Sequence, residues 1–450
     1  MNSDLAYADL IYADLTAQSH ALARGDTTSA SLTAQVLALI TQRNRQLNAY
    51  LHVDAEGALH DAALSDARRA RGAVLGPLDG LALAVKDNID VAGMPTTAGM
   101  ATRRGRVAAS DAFVVQRLRA AGMVVLGKLN MHEAALGATN DNPHYGRCEH
   151  PHRAGFTPGG SSGGSACAVA AGLCAMALGT DTMGSVRIPA AYCGVVGFKP
   201  SWGLVSTGGT VACCHALDHV GVLLRSRRDL RLVVPALTGF DVLCADARHI
   251  AARPPVTRPR FVAAADAAAL GATPAMAAAY TQALGALHQR GAHVTQIDLS
   301  AYDFGRARRA GLLAAEADLL VEHASDWRGQ PQNFSPELAR MLVWASKQSA
   351  VSLAAALRTT AQAHIEAARW WQHGDVMLLP TAPQAAFAFG DEVPANQADF
   401  TALANMAGLP ALTAPLPVAA GDLPLGLQAI APVGAEATLL ALNLEGICTA

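Results

Sequence analysis

An α/β layer fold is predicted by two features of this sequence. Apolar segments of strand length alternate with stretches of helical period, and glycine, serine and other polar residues gather where the strands should end. The chain can also bury such layers, because 450 residues, 51% hydrophobic and 16% charged, suffice for a large core. Ligands of open α/β sheets bind at strand ends, so the polar punctuation marks where chemistry should lie.

From about Asp14 to Arg71 the sequence reads as helices. SASLTAQVLALITQRN opens on serine, keeps apolar residues at helical spacing and ends polar. A helical N-terminal layer over about residues 1–71 is therefore expected. GLALAVKDNIDV gives a short apolar strand, Leu81 to Val85, running straight into Lys86. SDAFVVQRLRAAG predicts a helix with a Ser/Asp cap and a glycine stop, followed at once by the strand MVVLGK. The Gly/Ser loop 159–165 leads into helix ACAVAAGLC, strand AMALGT, a serine turn, helix RIPAAYCG and strand VVGFK. These segments make up a core of about residues 78–225. Residues 226–375 are alanine-rich and helical without chemical motifs, which predicts scaffold and pocket wall. The tail, 376–450, returns to strands in DVMLLPTAP and LPLGLQAIAP, linked by FTALANMAGLPALTAP. No charged or low-complexity linker divides the chain and no repeat exceeds a YADL doublet, so a single domain is expected.

Composition narrows the function. Basic and acidic residues nearly cancel, 34 against 36, which argues against a nucleic-acid or anionic-membrane footprint and for a small ligand. The eight cysteines form no CxxC pair and lie mostly in apolar runs, so reduced, packed thiols and a cytoplasmic location are expected. The start, MNSDLAYADLIYADL, carries acidic residues where an export signal needs a basic end and an apolar run. The uncharged stretch Ala154 to Thr180 is no membrane span, because its first half is rich in Gly, Ser and Pro and its apolar remainder is short.

Three polar residues stand in apolar or glycine-rich frames: Lys86 after LALAV, Ser161 in PGGSSGGSA and Ser185 in GTDTMGSVRIPA. Singly, a strand-end lysine is commonly solvated and GGSSGG is commonly a flexible loop or helix cap. The loop lacks the GK[ST] ending of a phosphate loop and the GxGxxG spacing of a dinucleotide site. Ser185 lacks the GxSxG elbow.

Together they form a pattern. The block PGGSSGGSACAVAAGLCAMALGTDTMGSVRIPAAYCGVVGFKPSWG resembles the amidase signature family. So do PLDGLALAVKDNIDVAGMPTTAG, GKLNMHE, LDHVGVLLRS, NMAGLPALTAP and LPLGLQAI, so the resemblance covers nearly the whole chain. It implies a large mixed, twisted central β-sheet covered by helices on both faces, and a Ser-cisSer-Lys triad needing no cofactor or metal. Ser185 would be the nucleophile, Ser161 the bridge on a cis peptide bond and Lys86 the base, while Ser162 orients the loop.

The residue types suit that chemistry. A serine hydroxyl needs a neighbour to take its proton, and lysine can do so only when neutral. Its ordinary pKa of about 10.4 must fall towards neutrality, and burial behind five apolar residues would lower it. A bridging hydroxyl can give and take a proton at once. In the turn DTMGS the N–H groups of Thr182, Met183, Gly184 and Ser185 can converge on an oxyanion. Asp181 and Arg187 flank the turn, and an ion pair bracing it is favoured over carboxylate recognition by Arg187. His132, His215 and His219 read as surface or structural residues, Cys213 and Cys214 as packing near the site, and His144 and Tyr145 as candidates for the pocket rim.

The family's serine turn usually reads Gly-Gly-Ser, and here the first glycine is Met183. A positive φ at that position would disfavour a side chain. Either Met183 tunes the acyl side of the site, the favoured reading, or the oxyanion hole is distorted and activity is weak or lost. The expected function is hydrolysis of a small carboxamide to acid and ammonia. The rivals are the A subunit of a glutamine-dependent amidotransferase, acting with a partner on transfer RNA, and an inactive scaffold. A homodimer is reasonable.

Overall fold

Residues 10–444 and 446–449 are described by the computed structural model. Residues 1–9, on which much of the export reading rests, and the start of the expected N-terminal layer lie outside the described residues.

Asp14, Thr28 and Asp54 each precede a helix and accept a backbone N–H from its first turn, which starts α1 (Leu15–Arg24), α2 (Ser29–Leu47) and α3 (Ala55–Ala70). The expected all-helical run is interrupted between α2 and α3 by a short strand, β1 (Tyr50–Val53). Four residues carry too little periodicity to reveal a strand, and its partner lies far along the chain. Then follow β2 (Ala82–Lys86), α4 (Phe113–Ala120), β3 (Val124–Leu129), α5 (Gly163–Ala170), β4 (Met176–Asp181), α6 (Arg187–Cys193), β5 (Val196–Lys199) and β6 (His219–Leu224). The expected Ser/Asp cap of α4 is not made. Its cap residue is Ala112, and Asp111 instead accepts from the Ala92 N–H at 2.8 Å.

The alanine-rich middle supplies α7 (Leu230–Leu237), β7 (Phe261–Ala264), α8 (Pro274–Gln289), β8 (Val294–Ile297), α9 (Phe304–Glu322), α10 (Ala324–Gly329), α11 (Pro336–Ser346) and α12 (Ala350–Trp370). It is thus more than a helical wall, because β7 and β8 extend the sheet. The tail gives β9 (Val376–Pro380), α13 (Asp399–Met406), β10 (Ala411–Pro415), β11 (Gly426–Ile430) and α14 (Glu436–Ala441).

All eleven strands join one mixed sheet in the order β1-β3-β2-β4-β6-β5-β10-β11-β9-β7-β8. β2 runs parallel to β3 and β4, whereas β4 pairs antiparallel with β6. Successive side chains of β2 enter two separate cores, Leu83 and Val85 one, Ala82 and Ala84 the other. The first core receives Val114 and Leu118 of α4 and Val233 of α7, and the second Val36 and Ile40 of α2, Ala62 of α3 and Val169 of α5. Helices therefore cover both faces. Among the described residues no helix is long and apolar enough to cross a membrane.

The parallel pair β2 and β4 end side by side, at Lys86 and Asp181. The Gly/Ser loop docks beside them, where the Gly164 N–H donates to Asn130 O at 3.1 Å. A Cβ on Gly164 would stand 2.3 Å from that oxygen. Gly164→Ala should cost about 1–3 kcal/mol by overpacking, read as a lower urea midpoint. A midpoint equal to the parent's would contradict the tight docking.

Candidate active site

β2 is buried along its whole length, so the lysine at its end is carried into the protein interior. Lys86 Nζ lies 2.7 Å from Ser161 Oγ and 2.8 Å from Thr180 Oγ1. Thr180 Oγ1 also accepts from Asn88 Nδ2 at 3.2 Å. Burial lowers the Lys86 pKa from 10.5 to about 7, with Cys213, Asp218 and Asp181 only partly opposing it. Its hydrogen-bond partners are hydroxyls rather than carboxylates, so nothing in contact holds the charged form.

The Gly160–Ser161 peptide bond is cis. Ser161 O accepts from the His132 N–H at 3.1 Å, and Asn140 Oδ1 accepts from the Gly163 N–H at 3.2 Å. Ser162 ties the loop to the serine turn: its N–H donates to Ser185 O and its hydroxyl to Thr180 O, each at 3.2 Å.

That turn is built on Asp181. Its carboxylate accepts from Arg187 Nε at 3.0 Å and Nη2 at 2.9 Å, from the Gly184 N–H at 2.7 Å and from the Val186 N–H at 3.1 Å. Burial alone would raise the Asp181 pKa, but the charge and hydrogen bonds of Arg187 outweigh it and hold the carboxyl well below the usual range. Arg187 is fully buried, and its remaining donors reach Thr401 O, Gln428 Oε1 and Asn405 Oδ1. All five guanidinium N–H groups are thus engaged, leaving none for a substrate. The brace expected for this pair matches that geometry.

The positive φ of the turn falls on Gly184, at 132°, and Met183 is not among the left-handed residues. Met183 therefore carries no backbone penalty. Its carbonyl accepts from Thr401 Oγ1 at 2.6 Å, and its sulfur rests 2.8 Å from where a Cβ on Gly311 would stand. The N–H groups of Thr182, Met183 and Ser185 have no acceptor among the described residues. Gly184 departs from the expected oxyanion set, because Asp181 already takes its N–H.

Ser185 is half-buried and opens onto a cavity of about 160 Å³. Gly160, Met183, Ile188, Leu312 and Met341 help to line it. The structure brings Lys86 and Ser161 into hydrogen-bond contact, but Ser185 Oγ has no partner among the described residues.

His144 and Tyr145 do not reach the cavity. The His144 ring pairs with Glu133 at 2.8 Å and the Tyr145 hydroxyl donates to Met100 O at 3.4 Å. His132 is buried rather than superficial, and desolvation, then the Lys86 charge, lowers its pKa to about 4. His219 is buried against the carbonyls of Asp181 and Leu217, and His215 is exposed beside Asp246. Cys213 lines the cavity and, with Cys214, donates its N–H to Asp218. Among the described residues no three His, Cys, Asp or Glu side chains cluster as metal ligands.

The amidase family model matches residues 31–440. The chain belongs to the amidase signature family. It is an amidase-signature enzyme, an amide hydrolase. It is 34% identical to the A subunit of the glutamyl-tRNA(Gln) amidotransferase of Chloroflexus aggregans, over 96% of this chain and 95% of that one. Its structure matches a chain of a vestigial protein complex bearing on the origins of an s-triazine catabolic enzyme, with a TM-score of 0.88, 33% identity and coverage of 95% and 97%. The peptide amidase of Stenotrophomonas maltophilia matches with a TM-score of 0.83 and 29% identity, over 95% of each chain.

In this amidase several site residues lie outside those singled out by sequence. Thr180 holds Lys86 and is itself held by Asn88, and Thr401, Asn405 and Gln428 hold the turn. Asn405 and Gln428 sit in NMAGLPALTAP and LPLGLQAI, stretches that carried the family resemblance without disclosing a role. Arg187→Met would leave the Asp181 carboxylate buried without its cation and should cost about 3–5 kcal/mol at pH 7. The deficit should narrow at pH 5, because an unpaired buried carboxyl titrates higher and sheds its charge on acidification. Urea midpoints at both pH values measure this.

Proposed function

We propose that this amidase hydrolyses the carbon–nitrogen bond of a small carboxamide to a carboxylic acid and ammonia through an acyl-enzyme on Ser185. The observation that carries the reading is the contact between a buried, near-neutral Lys86 and Ser161 Oγ beside the cavity that holds Ser185. Neutral Lys86 draws a proton from Ser161, which takes one from Ser185 as its oxygen attacks the carbonyl carbon. The developing oxyanion receives the N–H groups of Thr182, Met183 and Ser185. The relay then returns its proton to the leaving nitrogen, ammonia departs, and water enters the acyl-enzyme by the same route in reverse. A cavity of about 160 Å³, below the roughly 300–1,000 Å³ of drug-sized sites, supports a small substrate.

The Met183 geometry supports tuning rather than damage, because its N–H stays available while its side chain turns to α9. Eight free cysteines support work in a reducing cytoplasm. A second reading, the A subunit of an amidotransferase using glutamine with partner subunits, is favoured by the names of relatives such as that of Chloroflexus aggregans. Ammonia release from simple amides by the purified chain alone separates the two.

Ser185→Ala should lower kcat roughly ten-thousand-fold or more while the fold persists by circular dichroism. Retained turnover would remove Ser185 from its role. In the parent, kcat/KM should climb through about pH 7 and level off above it, because the base acts only when Lys86 is neutral. A profile flat from pH 5 to 9 would contradict that assignment. The same depressed value means that the unfolded chain binds the extra proton between about pH 7 and 10.5, so this group's contribution to stability rises with pH across that window. Lys86→Met should therefore gain most in urea midpoint over the parent at pH 6 and less at pH 9.

A further inference from the structure

The wall of the Ser185 cavity is mostly apolar, and the charged side chains on it are Arg308 and Glu337. They differ in setting. Glu337, on α11, is exposed, and a solvated carboxylate at the rim exerts a weak pull. Arg308 reaches in from α9 with a side chain only 16% exposed.

Arg308 is held from behind. Its Nε donates to Asp399 Oδ1 at 2.6 Å, which uses one of five guanidinium N–H groups. The four on Nη1 and Nη2 have no acceptor among the described residues. Gln397 lines the same cavity; its buried carbonyl oxygen accepts from the Tyr192 hydroxyl at 3.2 Å, while its Nε2 donates to no described residue. The Asp399 that anchors Arg308 opens α13, and two residues on, Thr401 holds Met183 O and Arg187. The serine turn and the guanidinium are therefore fixed to one helix. Arg187 cannot fill the anion-binding part, since its donors are all spent.

We propose that Arg308, positioned by Asp399 and assisted by Gln397, is a subsite for a carboxylate. The substrates are then small amides that bear a carboxylate at the end remote from the reacting carbonyl. A guanidinium offers paired donors that match a carboxylate's two oxygens, and the apolar wall strengthens that contact by excluding water. This substrate class rests on the hydrolase reading, whereas the subsite itself does not.

The test uses full-length Ser185→Ala protein, so binding is read without turnover. Affinities are measured by calorimetry for succinamate and glutaramate and for the uncharged butanamide and pentanamide. At least tenfold tighter binding of one carboxylated amide than of its neutral counterpart is expected, on the order of what a charge-assisted pair contributes. Adding Arg308→Met should erase that preference and Arg308→Lys should restore part of it. Equal or tighter binding of the neutral amides, or a preference that survives Arg308→Met, overturns the subsite. With the parent enzyme, kcat/KM should favour the same carboxylated amide, and Arg308→Met should reduce this ratio at least tenfold. A parent that releases no ammonia from any amide, yet binds the carboxylated ones selectively, overturns the hydrolase reading and the substrate class while upholding the subsite.

Discussion

The buried pair of Asp181 and Arg187 is the constraint on which the site depends. Burying two charges is expensive, and the pair persists because each is saturated: two backbone N–H groups and Asn405 join Arg187 on the carboxylate, and Thr401, Asn405 and Gln428 take the remaining guanidinium donors. Through these bonds one ion pair ties the end of β4 and the start of α6 to α13 and β11. The serine turn is therefore held from the inside, by charge, rather than from the solvent side. That leaves its outward N–H groups and the Ser185 hydroxyl uncommitted.

How much of this could be read from the residues varied with the length of the signal. β2, β3 and β4 were legible because each is a continuous apolar run that ends abruptly in polar residues. β1, β7 and β8 are four residues each and stand in stretches that otherwise read as helical, and they are defined by partners elsewhere in the sheet. Lys86, Ser161 and Ser185 stood out through motif spacing, and the brace formed by Asp181 and Arg187 was the favoured reading of two. The fate of a single N–H was beyond reach. Nothing in DTMGS shows that Gly184 turns its N–H to Asp181, because that depends on where α6 lets the carboxylate sit. The same holds for His144 and Tyr145, which lie near the loop in sequence but face Glu133 and Met100.

The site also bears on how a lysine is kept near neutrality in a protein interior, as the proposed relay requires. Lys86 faces hydroxyls, the nearby carboxylate of Asp181 is neutralised by Arg187, and Asp218 is occupied by Thr182 and the N–H groups of Cys213 and Cys214. A carboxylate in direct contact would hold the ammonium form. The surrounding network therefore withholds negative charge from the lysine as much as it positions it.

Met183 shares its space with a residue behind the wall. Its sulfur and the Met406 methyl fill the hollow over Gly311, a position of α9 that is not itself on the cavity wall. The shape of the cavity is then not a property of its lining alone. An alanine arriving at position 311 by neutral drift would press both flexible side chains, one of them on the cavity wall. In a lineage of such enzymes, changes in what is accepted can thus originate in scaffold positions that a comparison of cavity residues would overlook, and their effect depends on whether position 183 already carries a side chain.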